Sequence, residues 1–147
     1  MDDVNFDWRV GDGWGNTVTP WDRNTNAPMT VDNWRRYMAE FLEAVRSSLP
    51  GYEICHNAIW YAGGDSGRDA NGYIQRQIAA SDEVHIEFGV NDVNLTGGTG
   101  IWSVDAVLAY IDRVHAKGKH VVVGGLASGN AGDRAALEFG VAGYLFD

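Results

Sequence analysis

Helical and strand-like segments alternate along nearly the whole chain, and that alternation narrows the possible architectures more than any other feature. In "TVDNWRRYMAEFLEAVRSSLPG", Trp34, Met38, Phe41, Leu42 and Val45 recur at helical spacing and make one apolar face. Thr30 is the expected N-cap, and "LPG" ends the helix. "YEICHNAIW" follows as a short β-favourable run, "NGYIQRQIAAS" as a helix and "EVHIEFGV" as a strand. "SVDAVLAYIDRVHAKG" is the clearest helix, capped by Ser103, apolar at Val104, Val107, Leu108, Ile111 and Val114, and stopped at Gly118. "KHVVVGGLA" is nearly all apolar, as a parallel strand buried on both faces would be. A helix around "GDRAALEFG" and a last strand, "AGYLFD", complete the series.

Strict alternation of this kind predicts a parallel sheet with right-handed crossovers. The connections say where function lies. Helix-to-strand links such as "SD" and "GK" are short, whereas strand-to-helix links are long and rich in Gly, Asn, Asp and Trp. The first, from Asn5 to Thr30, is about twenty-five residues, beyond the usual range for such loops. "AIWYAGGDSGRDA" and "GVNDVNLTGGTGIW" are long as well. In βα architectures those loops crown the C-terminal ends of the strands, where sites are built.

Asp2 and Asp3, just behind Met1, read as the end of a strand whose earlier part is missing. The 147 residues then supply one domain, residues 1–147, of four parallel βα units plus a stub strand. A closed (β/α)8 barrel takes about 250 residues. The fold class expected is therefore α/β, half of such a barrel, completed by a second copy in a homodimer. An open doubly wound sheet is the competing architecture, but "HNAIWYAGGDSGR" has neither GxGxxG nor GxxxxGK[ST] spacing.

Composition limits the partners. A net charge of −9 and the lack of a basic stripe argue against nucleic acid and anionic membranes. No apolar run is long enough for a bilayer, and no segment has the basic and apolar regions of a signal peptide, so a soluble protein of open compartment is expected. The single Cys55 rules out an internal disulfide framework. Six Trp and six Tyr are many for this length. Several aromatics, Trp8, Trp14, Trp21, Trp60, Tyr61 and Trp102, fall in Gly/Asn/Asp-rich stretches, where such rings stack on flat ligand faces or pin a loop to the domain.

The segments "DDVNFDW", "YEICHNAIWYA", "VHIEFGVND" and "GYLF" resemble the C-terminal half of the (β/α)8 hypothetical glycosidase family, related to endo-α-polygalactosaminidase-like barrels. The resemblance covers nearly the whole chain and rests on short motifs. It implies hydrolysis or binding of carbohydrate, no cofactor, and a pair of carboxyl groups at strand ends. By that resemblance Asp3, in "Asp3-Val4-Asn5", is the nucleophile and Glu87 the acid/base. Such groups stand about 5–5.5 Å apart in retaining enzymes and about 6.5–9.5 Å apart in inverting ones.

The residues themselves add detail. Strand alternation puts Glu87 on the same face as His85, and neighbouring aromatics would desolvate it towards the range of a proton donor. Asp2 faces the other way from Asp3 and is expected to be structural. Asn5, His56, Asn57, Asn91 and Asp92 are candidates for hydroxyl hydrogen bonds, and Trp60, Tyr61 and Trp102 for stacking. No metal is expected in this scheme. A second chemistry stays open, in which Asp3, His56, Glu87 and Asp147 hold a divalent metal for ester or phosphoester hydrolysis, although no HxH or HExxH spacing supports it. His85, His115 and His120 look structural. The third possibility is a dimerising carbohydrate-binding scaffold without catalysis.

Overall fold

Thr30 opens the first helix as its sequence demands. Its hydroxyl oxygen accepts a hydrogen bond from the Asn33 N–H at 3.1 Å, satisfying a donor that the first turn leaves unpaired. In this computed structural model, which describes residues 8, 11–14, 16–57, 70–87, 89–91, 95–98, 100, 102–124 and 134–145, that helix is α1, Val31–Ser48. Asn71 caps α2, Gly72–Ala79, by accepting from the Tyr73 and Ile74 N–H groups. Ser103 caps α3, Val104–His115, by accepting from the Ala106 N–H. Beyond α3, Gly118 takes a positive φ of 69°, a turn conformation that side chains with a Cβ disfavour.

Before α1, Trp21–Asp22 (β1) and Ala27–Pro28 (β2) pair as a small antiparallel hairpin within the segment expected to be one long loop. Asn26 turns it at a φ of 53°, a region Asn tolerates better than most residues. The buried Asp22 carboxylate anchors it by accepting from the Asn24 and Thr25 N–H groups, the Asn33 amide and the Tyr37 hydroxyl. Burial alone would raise this carboxyl's pKa, but bonds from Thr25, Asn24 and Tyr37 outweigh it and hold the group below the usual carboxylate range.

The protein is a mixed α/β structure around a three-stranded parallel sheet. Cys55–Asn57 (β3), Glu83–Ile86 (β4) and His120–Val123 (β5) pair in the order β3-β4-β5. The register sets Asn57 beside His85 and His85 beside Val122. Sequential strand order with crossovers of one hand places the intervening helices on one face. Val84 and Ile86 accordingly join Leu42 of α1, Ile74 and Ile78 of α2, and Val107, Tyr110, Ile111 and Val114 of α3 in one core, with Val121 and Val123 packed against it. Ion pairs lock the layers at their margins. The Arg76 guanidinium donates twice to the Glu43 carboxylate, joining α2 to α1 at 2.7 and 2.6 Å. Asp82 accepts from the Ile54 N–H and from Arg46, and that backbone bond, helped by the Arg46 charge, lowers its pKa.

Three expectations need correction. The "AGYL" of the expected last strand is helical, because Arg134–Leu145 forms one helix, α4, and the buried Gly140 continues it instead of stopping it. β5 is not buried on both faces: its alternate residues His120 and Val122 are exposed, Val122 by 40%. Phe41 lies outside the core at 52% exposure, since the core-facing side of α1 runs through Ala39 and Leu42. Tyr110, not anticipated, is the largest fully buried side chain among the described residues. The stub at Asp2 and Asp3 lies outside the described residues.

Candidate functional site

Strand alternation sorts the sheet into two faces. His56, Val84, Ile86, Val121 and Val123 turn towards the helices, whereas Cys55, Asn57, Glu83, His85, His120 and Val122 fall on the opposite face, where all are half-buried or exposed. That second face is polar. His85 and His120, expected to be structural, belong to it, while the exposed His115 ends α3.

At the C-terminal edge this face carries Asn57 and His85. Glu87 follows β4 directly and is exposed, so the described residues do not supply the desolvation expected of neighbouring aromatics. Close packing of β4 on β5 shapes the edge. A Cβ at Gly124 would meet the Glu87 carbonyl oxygen at 2.4 Å and His85 Nε2 at 2.7 Å, so Gly124, directly after "VVV", marks a place where only glycine fits. Gly89 is similarly constrained, with a φ of +52° and Val123 Cγ1 2.2 Å from where its Cβ would stand. Gly124→Ala should therefore push β5 from β4 and destabilise the protein by about 1–3 kcal/mol, the usual cost of overpacking, as read by urea unfolding. An unchanged midpoint would show that the edge yields freely.

His56 is corrected as a substrate contact. It sits within β3, not after it, and is fully buried on the helix side, where its ring meets the Gln77 backbone. Burial chiefly, aided by the Arg46 charge, lowers its pKa to about 4. Asn57, one residue on, is half-buried on the polar face. Trp102 is 42% exposed just before α3, in a loop fastened where Thr96 donates from its N–H and its hydroxyl to the Trp102 carbonyl. Asn91 ends a 3-10 turn, Gly89–Asn91, just beyond β4, which places its backbone near the same edge. Asp3, Asn5, Trp60, Tyr61 and Asp92 lie outside the described residues, as does Asp147. Of the metal-binding set, only His56 and Glu87 are described, and His56 is fully buried within β3 whereas Glu87 is exposed beyond β4. Among the described residues no three His, Cys, Asp or Glu side chains gather as a metal site, and no helix is long and apolar enough to cross a membrane.

Comparison with protein families, with curated proteins and with solved structures finds no match to this chain.

Proposed function

We propose that this chain is half of a (β/α)8 barrel, completed by a second copy, and that it hydrolyses glycosides at the C-terminal edge of its strands. Glu87 serves as proton donor and Asp3 as nucleophile. The observation carrying this reading is the exposed Glu87 carboxylate, set directly after a parallel strand at the C-terminal edge of the sheet. Asn57 and His85 flank Glu87 with groups able to bind hydroxyls, and Trp102 offers a ring for stacking. An exposed carboxyl becomes a competent acid only when something covers it, so bound sugar or the second copy supplies the desolvation.

The test is turnover of a panel of aryl glycosides by the wild type, Asp3→Asn and Glu87→Gln. Loss of general acid catalysis should lower turnover by about 10²-fold or more, with chelator having no effect. Wild-type rates in Glu87→Gln would end the proposal. Chelator-sensitive turnover would move the chemistry to a metal, and sugar-dependent Trp fluorescence without turnover would make the chain a binding scaffold.

A further inference from the structure

Gly124 follows directly on the three valines of β5, where a side chain would ordinarily extend the strand's packing. Glycine there costs backbone entropy and packs nothing, and in such a place it marks a close approach. What approaches is the ring of His85. The point where a Cβ would stand at Gly124 is 2.7 Å from His85 Nε2 and 2.4 Å from the Glu87 carbonyl oxygen. The missing side chain leaves a seat, and an imidazole from the neighbouring strand occupies it. The Gly124 N–H donates to the Ile86 carbonyl at 2.9 Å, which fixes the floor of that seat against β4.

This histidine is not a core residue. Val84 and Ile86, on either side of it in β4, are 0% and 1% exposed, whereas His85 lies half-buried on the opposite face. Its register partners are the half-buried Asn57 and Val122, which is 40% exposed, so solvent reaches the strip of sheet around it. Among the described residues none makes a hydrogen bond with its ring.

We infer that His85 binds a hydroxyl of the sugar that meets Glu87, and that Gly124 is the residue that positions its ring. The inference rests on the glycosidase reading above and names the group that reads the substrate. A neutral imidazole offers one donor and one acceptor, and either can pair with a hydroxyl. The seat carries the ring to the C-terminal edge and against the backbone of Glu87, so a sugar placed on that carboxyl lies beside the histidine.

Monodeoxy aryl glycosides of a sugar that the wild type turns over test this. Removing one particular hydroxyl should cost the wild type about 5–10-fold in kcat/KM, the usual worth of a hydrogen bond, and should cost His85→Ala nearly nothing. His85→Gln, whose amide also donates and accepts, should keep part of the preference. Gly124→Ala should lose it as His85→Ala does, and the double variant should lose no more. Preferences unchanged at every hydroxyl in His85→Ala overturn the inference, as does an additive double variant. The seat is read without any variant or substrate, from a nuclear Overhauser contact between the His85 ring and the Gly124 α-protons, and its absence overturns the positioning role. Circular dichroism verifies folding, and where Gly124→Ala fails to fold the His85 variants and the Overhauser contact decide. A wild type that turns over no glycoside ends the glycosidase reading. The deoxy sugars are then compared by Trp fluorescence titration: a hydroxyl that strengthens binding to the wild type but not to His85→Ala upholds the contact, and no binding overturns it.

Discussion

Leu42→Ala should destabilise the protein by about 2–5 kcal/mol, the usual range for emptying a fully buried leucine site. Leu42 is 0% exposed and joins α1 to Ile74 and Ile78 of α2 and to the sheet at Val84 and Ile86. Truncation removes contacts on several elements at once, and the surrounding helices, tied by Glu43 and Arg76, can close only part of the void. Total stabilities of about 5–15 kcal/mol are typical, so the loss is a large share. Phe41→Ala, one residue earlier, is the control. At 52% exposure it should change monomer stability by about 0.5 kcal/mol or less, as surface substitutions do. Urea unfolding at concentrations where the chain is monomeric measures both. Equal losses would mean that α1 is turned differently on the sheet from the orientation described.

That pair also shows how far periodicity carries. Spacing alone places Phe41 and Leu42 on one apolar face of α1, because a helical stripe of this width spans both residues. Which margin of the stripe meets the core depends on what flanks the helix. Here α2 and the sheet take the Leu42 side, and the side of Phe41 is left bare. Caps were legible, since Thr30 and Ser103 act within a few residues of themselves. The hairpin was hidden because strands of two residues have no period to detect, although the Asp, Asn and Thr of "WDRNTNAP" carry a turn signal. α4 was cut short because its glycines read as stops, whereas Gly140 is buried within the helix.

At the candidate site, alternation sorts Glu83 and His85 from the buried Val84 and Ile86 of β4, and Glu87 follows the strand's end, exposed. Burial was not legible. Whether a histidine beside a strand end meets solvent or a helix turns on one residue of register, so His56 is sealed beneath α2 while Asn57 lies on the polar face. The glycine at position 124 was the local clue to close approach at the edge.

The sealed His56 has a consequence in acid. Its pKa is about 4 in the fold, against 6.5 for an ordinary histidine, because its buried ring resists taking a charge. The unfolded chain therefore binds the proton first, and stability falls with pH across that interval. The contribution is whole above about pH 6.5, declines as pH drops and is spent near pH 4, where the folded form also protonates. At about 1.4 kcal/mol per unit the loss approaches about 3 kcal/mol. Carboxylates with lowered values, Asp22, Glu43 and Asp82, contribute in the same direction but only towards the acid end, since their unfolded counterparts titrate near 3.8 and 4.5. The span from pH 6.5 to 4.5 therefore isolates the histidine best. His56→Leu keeps an apolar group of similar bulk in that space and cannot be protonated. Urea midpoints for both proteins should converge as pH falls, the wild type losing its stability steeply and the variant more gently. Parallel slopes over this interval would show that the ring of His56 reaches water in the folded protein and that β3 does not lie sealed under α2.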